Sequence, residues 1–153
     1  MKLACGSDHA GFKLKKHLMD HLRKQGVECE DYGAENGIDA SSYVPYASAV
    51  ASAVVSGQAD LGLVICGTGI GISITANKHK GIRAALCTNE YMARMAREHN
   101  DANVLALGAR VVGTSLAEAI AEAFLSADFE TGGRHQVRVN EIRSVEDTKL
   151  QKS

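Results

Sequence analysis

The sequence predicts an α/β fold, a Rossmann-like open sheet of about five parallel strands with helices on both faces. Three observations point to it. Short apolar runs alternate with stretches whose apolar residues recur at helical spacing. One run, Leu61-Gly62-Leu63-Val64-Ile65-Cys66, is apolar throughout, as in a parallel strand buried on both faces. The chain also has 15 glycines against one proline, which suits many tight turns between short elements.

The elements follow in order. Lys2 to Gly6 is a short apolar run that stops at Ser7-Asp8-His9 and reads as a first strand. Phe12, Leu14, Leu18, Met19 and Leu22 then mark one face of a helix ending near Gly26, with Lys13, Lys15, Lys16, Arg23 and Lys24 on its exposed side. Val27 to Asp31 is a weaker strand, and Tyr32 to Ser42 is the longest loop. Pro45 suits a first helical turn, so the Ala- and Val-rich stretch to Val55 is a buried helix. The apolar run Leu61–Cys66 enters a glycine-rich turn, followed by a helix over about Ile70 to Lys78. A strand at Ile82 to Cys87, a helix over about Asn89 to Glu98 and a strand at Asn103 to Leu107 continue the alternation. A helix over about Ser115 to Leu125, capped by Thr114 or Ser115, precedes a last helix after Gly132-Gly133.

Length and charge limit the functional classes. With 153 residues, 45% apolar and 23% charged, the chain reads as one domain over 1–153. Residues from about 131 to 153 form a partial amphipathic extension suited to packing on a second subunit. Seventeen Lys and Arg against 18 Asp and Glu give a net charge of −1, with no basic field for nucleic acid. No apolar run approaches the roughly 18 residues of a membrane span, so no membrane partner is expected. The first residues reach Asp8 and His9 too soon for the apolar centre of a secretory signal, and the expected location is the cytoplasm. Four cysteines without a CxxC pair are expected to be reduced. Cys5, Cys29 and Cys87 read as buried apolar positions, and His17, His21 and His79 as surface or satisfied histidines. No metal and no cofactor are expected.

In an open parallel sheet ligands bind beyond the carboxyl ends of the strands. The candidates are therefore Asp8 and His9 after the first strand, Cys66 to Gly71 after the third, and Arg110 after the fifth. Cys66-Gly67-Thr68-Gly69-Ile70-Gly71 places three glycines at alternate positions where a helix begins, leaving backbone N–H groups free to face an anion. It lacks the spacing of a dinucleotide fingerprint and the Gly-Lys-Ser/Thr ending of a P-loop. Cys66 heads the turn, where those N–H groups favour an anionic sulfur able to act as nucleophile or base. No arginine follows it in the turn, as a cysteine phosphatase requires, so proton transfer is the more attractive role. Asp8-His9 and His99-Asn100 are expected to reach one cleft, and Arg134 and Arg138, one helical turn apart, suit a phosphate.

Several blocks in this order resemble the ribose-5-phosphate isomerase type B proteins of the ribose/galactose isomerase family. They are Gly6-Ser7-Asp8-His9-Ala10-Gly11-Phe12, Cys66 to Gly71, Gly81-Ile82-Arg83-Ala84, Glu98-His99-Asn100-Asp101, Gly108-Ala109-Arg110 and Gly133-Arg134-His135. The resemblance implies a metal-free aldose–ketose isomerase acting on D-ribose 5-phosphate through a cis-enediolate. It implies Cys66 as base, Gly67, Thr68, Gly69, Ile70 and Gly71 as the oxyanion-binding turn, and the Thr68 hydroxyl as a proton carrier. His99 aided by Asp8 would open the sugar ring, His9, Arg110, Arg134 and Arg138 would hold phosphate, and Asn100 and Tyr43 would contact the sugar. It also implies a homodimer or dimer of dimers whose sites use both chains, with Arg134 and Arg138 serving the partner's site. A six-carbon substrate such as allose 6-phosphate, and a non-catalytic sugar-phosphate sensor, are the alternatives.

Overall fold

A computed structural model describes residues 1–148; residues 149–153, the end of the expected interface extension, lie outside the described residues. The strands are β1 (Lys2–Ser7), β2 (Glu28–Asp31), β3 (Leu61–Cys66), β4 (Ala84–Leu86) and β5 (Val104–Gly108). The helices are α1 (Phe12–Lys24), α2 (Val44–Val55), α3 (Ile70–Ala76), α4 (Glu90–Asn100), α5 (Thr114–Ser126) and α6 (Arg134–Asp147). The five strands form one parallel sheet in the order β2-β1-β3-β5-β4. This is the open α/β sheet that the alternation of runs predicts.

The central strand β3 is buried at all six positions, and its register pairs Leu3 with Leu61 on one side and Cys66 with Gly108 on the other. Helices α1, α4 and α5 cover one face of the sheet through Leu14, Leu18, Leu22, Ala93, Ile120 and Phe124. Helices α2 and α3 cover the other through Ala47, Val50, Ala51, Ile72 and Ala76. Burying a side chain such as Leu18 or Phe124 contributes on the order of 1.5–3 kcal/mol, so the two layers hold the sheet between them. Small residues let α2 lie close. A Cβ added at Gly62 would come within 2.7 Å of Val50 Cγ1.

Four local expectations change. Lys15 is not on the exposed side of α1: it is fully buried, with Nζ 2.5 Å from Asp31 Oδ1 and 3.0 Å from the Ala34 carbonyl oxygen. The last residue of β2 and the loop after it supply the partners that make a buried ammonium tolerable. Strand β4 is only three residues long because it lies at the sheet edge, where just one neighbour, β5, supports it. Helix α5 starts with Gly113 as its cap residue, and neither Thr114 nor Ser115 caps it with a side chain. Helix α2 is only partly buried; Val44 and Val55 stand exposed at its ends. Helix α4, by contrast, has a side-chain cap, with Asn89 Oδ1 accepting the Met92 N–H at 2.9 Å.

Helix α6 buries only His135 and Val139. Its far end is tied down by polar contacts, with the Glu146 carboxylate accepting the Gly81 N–H at 3.0 Å and Lys80 paired with Asp147. All four cysteines are buried and free. Among the described residues no helix is long and apolar enough to cross a membrane.

Candidate active site

Strand order places a crevice at the carboxyl ends of β1 and β3. From β1 the chain moves outward to β2 through α1 on one face, and from β3 it moves the other way through α3 on the opposite face. The loops leaving β1 and β3 therefore diverge, which is where open α/β sheets take ligands. The first loop carries Asp8 and His9, and the second carries Cys66 to Gly71.

The two loops are pinned to each other. The Asp8 N–H donates to the Ile65 carbonyl oxygen at 3.3 Å, and a Cβ at Gly11 would stand 2.5 Å from that same oxygen. Asp8, only 6% exposed, turns its Oδ1 back to accept the Gly11 N–H at 3.0 Å. His9 is oriented by the long loop, where Ser41 N–H donates to His9 Nδ1 at 3.1 Å and Ser41 Oγ accepts the His9 N–H at 3.1 Å. Because Nδ1 accepts a backbone donor, the proton of the neutral ring lies on Nε2, which remains a donor.

The turn after β3 is built around sulfur. Gly69 N–H donates to Cys66 Sγ at 3.1 Å, and Ile70 N–H donates to Thr68 Oγ1 at 3.2 Å. Gly69 has φ +78°, a left-handed backbone that admits glycine without cost. It is packed so closely that a Cβ would lie 2.5 Å from Leu86 Cδ1 and 2.8 Å from the Leu107 carbonyl carbon. Cys66 is 4% exposed, whereas Thr68 and Ile70 are exposed at the turn's rim.

Two further side chains close on this turn. Arg110, whose N–H donates to the Gly67 carbonyl oxygen at 2.9 Å, folds its guanidinium to 3.1 Å from where a Gly67 Cβ would be. Tyr43 lays its ring against Gly71, with the hydroxyl 2.6 Å from a Cβ built there. The approach is closest at Gly71, where a Cβ would force the Tyr43 ring to move. Asp8, His9, Tyr43, Cys66, Thr68 and Arg110 thus gather at one edge of the sheet.

His99, Asn100, Arg134 and Arg138 do not join them. Helix α4 runs antiparallel to the strands, so its last residues, His99 and Asn100, lie at the amino edge of β5, whereas Cys66 ends β3 at the carboxyl edge. With about 3.3 Å per strand residue the two edges are roughly 15–20 Å apart. The expectation that Asp8-His9 and His99-Asn100 meet in one cleft therefore fails within a single chain. Instead His99 forms a second cluster with the start of α6. Its ring stacks on His135, with centroids 3.9 Å apart and planes 6° from parallel. His135 Nε2 is 3.7 Å from Glu130 Oε2, and His99 Nε2 is 4.0 Å from Glu130 Oε1. Burial, with His99 and Arg134 close by, holds the His135 imidazole below the usual histidine range.

Sequence reasoning missed several supporting residues. Asp101, in left-handed backbone at φ 46°, binds Arg83 at 2.9 Å, Arg97 at 3.2 Å and Arg143 at 3.2 Å, and so fixes the end of α4 that bears His99 and Asn100. Arg83 and Asp101 both stand in the resembling blocks, which was the available signal. Ser41, which orients His9, had none. His17 and His21 are one turn apart on α1, an HxxxH spacing passed over as surface, and their rings face Glu118 and Glu122 of α5 at 2.5 and 2.6 Å.

Comparison with known proteins bears on the fold and the family. The profile of the ribose/galactose isomerase family matches residues 3–142. Ribose-5-phosphate isomerase B of Escherichia coli is 52% identical over 145 residues, spanning 95% of this chain and 96% of its own. Galactose-6-phosphate isomerase subunit LacA of Clostridium acetobutylicum is 41% identical over 145 residues, 95% of this chain and 99% of its own. The solved structure of Clostridium thermocellum ribose-5-phosphate isomerase B superposes with a TM-score of 0.93 at 54% identity, covering 96% of this chain and 98% of that one. Identity of this extent over nearly the whole length leaves one assignment: the chain belongs to the ribose/galactose isomerase family.

Proposed function

We propose that this protein is an aldose–ketose isomerase interconverting D-ribose 5-phosphate and D-ribulose 5-phosphate, with Cys66 as the base. The observation that carries the reading is the Gly69 N–H held 3.1 Å from Cys66 Sγ at the head of a helix. That donor is directed at the sulfur that would act as base, and the turn stands at the amino end of α3, where backbone N–H groups suit an oxyanion. Family membership and the names of the similar proteins support the substrate class.

The chemistry follows from those placements. With the sugar in open-chain form, the Cys66 thiolate removes the C2 proton, and the electron pair moves to the C1 carbonyl oxygen to give a cis-enediolate. The turn from Gly67 to Gly71 holds the developing charge on oxygen, a stabilisation made strong by donors fixed in advance. Thr68 carries the proton from O2 to O1, and the thiol returns its proton to C1, leaving the ketone at C2. His9 Nε2–H and Arg110 bind phosphate, and Tyr43 lies against the sugar. No step needs a metal ion or cofactor.

A homodimer supplies the missing half. Each chain presents the base half-site at the carboxyl edge of its sheet and His99, Asn100, Arg134 and Arg138 at the amino edge. A two-fold pairing that sets one edge against the other gives two equivalent sites, each with His99 and Asp8 for ring opening and the partner's arginines on phosphate. Such a sugar-phosphate enzyme works in the cytoplasm, in the pentose phosphate pathway.

The test is a coupled assay with ribose 5-phosphate in the presence of a chelator, run beside galactose 6-phosphate and allose 6-phosphate. Ribose 5-phosphate should be preferred and chelation should change nothing. A Cys66→Ala variant should lose C2-proton exchange, by about 10²–10⁴-fold as for removal of a positioned base, while still binding a phosphate ligand. Unchanged turnover of Cys66→Ala overturns the base; binding without turnover by the wild type establishes a sensor instead. Subunit exchange between inactive Cys66→Ala and His99→Ala proteins should restore about a quarter of the wild-type sites, since half the dimers are mixed and each has one intact site.

A further inference from the structure

We infer that His99, His135 and Glu130 form a binding site for a divalent transition-metal ion of the zinc class, and that an ion there inhibits the enzyme by engaging His99. The inhibitory part rests on the proposed role of His99 in ring opening. The site itself rests on geometry alone. One ligand atom from each of the three residues lies within 4.8 Å of the other two. Two imidazoles and one carboxylate, with a position left open, are a donor set that zinc accepts in three-ligand sites.

The surroundings favour a built site over a chance surface grouping. His135 is 8% exposed and fixed as one of two buried residues of α6, while His99 is about one-third exposed on the adjoining helix end. Glu130 carries an exposed carboxylate on an anchored backbone, its N–H donating to the Glu98 carbonyl oxygen at 2.9 Å, one residue from His99. Three ligands therefore come from three separately held pieces of chain: the end of α4, the link after α5 and the start of α6. The stacked rings need to splay at their Nε2 edges to converge on one ion. That is a rotation about χ2, the broad and soft torsion of histidine. The Nε2 to carboxylate separations of 3.7 and 4.0 Å must close by less than about 1 Å to reach the roughly 3.3–3.6 Å between tetrahedral ligands bonded at about 2.0–2.2 Å.

An ion held this way occupies the Nε2 lone pair of His99. It removes the general acid–base group for ring opening without touching Cys66.

The experiment titrates metal-free, full-length protein with Co²⁺ and follows its visible absorption bands, which Zn²⁺ should bleach by displacement. Glu130→Gln and His135→Gln should each weaken binding by at least the roughly 10–100-fold that even outer-shell partners are worth. His17→Gln, on the other histidine pair, should leave it unchanged. In the isomerase assay Zn²⁺ should inhibit the wild type reversibly, EDTA should restore activity, and Glu130→Gln should need at least about 10-fold more Zn²⁺. Absence of Co²⁺ bands, or their loss in His17→Gln, overturns the site. Inhibition that persists undiminished in Glu130→Gln places the ion elsewhere, on Cys66 for instance, and overturns it too. Binding lost in Glu130→Gln but with turnover unaffected by bound metal overturns the inhibitory role. Binding of that kind in a protein that never turns over ribose 5-phosphate upholds the site and refutes the activity reading instead.

Discussion

Gly69→Ala tests whether the turn after β3 is as constrained as its geometry implies. Alanine at φ +78° costs about 1–2 kcal/mol of backbone strain. Its Cβ would stand 2.5 Å from Leu86 Cδ1, 2.8 Å from the Leu107 carbonyl carbon and 2.9 Å from that carbonyl's oxygen. The Leu86 methyl can rotate away. Leu107 cannot, because β5 is bonded to β3 and β4 on either side, and overpacking against such a wall costs about 1–3 kcal/mol. The sum, about 2–5 kcal/mol, lowers Tm by about 4–20 °C in a chain of this size. Relief comes most cheaply by pushing the turn outward, which takes the Gly69 N–H off Cys66 Sγ and displaces the proposed oxyanion donors. Loss of one such donor lowers kcat by about 10²–10³. Thermal unfolding by circular dichroism and the coupled assay well below Tm measure both effects. Gly113→Ala is the control, since Gly113 has φ −74° and open space around its Cα. Wild-type Tm and kcat in Gly69→Ala, or equal losses in Gly113→Ala, refute the reasoning.

Three more outcomes follow from the same structure. Arg138→Ala should raise KM for ribose 5-phosphate more than it lowers kcat, because the phosphate contact proposed for it, remote from the reacting carbons, would be equally strong in ground and transition states; steady-state kinetics decides. Asp31→Ala should destabilise the protein by about 3–5 kcal/mol in urea unfolding, as it leaves the fully buried Lys15 ammonium without its anion. Lys15→Met should cost less, since Asp31 is partly exposed and keeps the Gly33 N–H at 2.9 Å; the reverse order would show that solvent reaches Lys15. Burial pushes the Cys87 thiol up to about 11 from 9.0, so the unfolded chain ionises first as pH rises. The protonated thiol's contribution is complete below pH 9 and is lost towards pH 11, about 2–3 kcal/mol, and urea titrations of Cys87→Ala should show a flatter alkaline limb.

What the sequence disclosed, and what it withheld, follows from how far each signal reaches along the chain. β3 was legible because burial on both faces leaves a run with no polar side chain but the terminal thiol, and the Cys66–Gly71 turn because its glycines and cysteine are contiguous. Lys15 was not legible. Its place among Lys13 and Lys16 resembles a solvated face, and only Asp31 at the end of β2 and Ala34 in the loop after it make it interior. The cluster of His99, Glu130 and His135 was hidden for a similar reason, since the docking of α6 on α4 leaves no periodic trace between residues 99 and 135. The separation of His99 from Cys66 is a different case. The strand–helix alternation read from the sequence already required α4 to run against the strands and to end at the amino edge of β5. Once the elements are placed, connectivity alone sends Asp8 and Cys66 to one edge and His99 and Asn100 to the other. A single chain of this topology cannot bring His99 to Cys66, so the active site we propose, which uses both, lies between subunits. In that proposal the α6 arginines, on the His99 edge, take part in the same exchange.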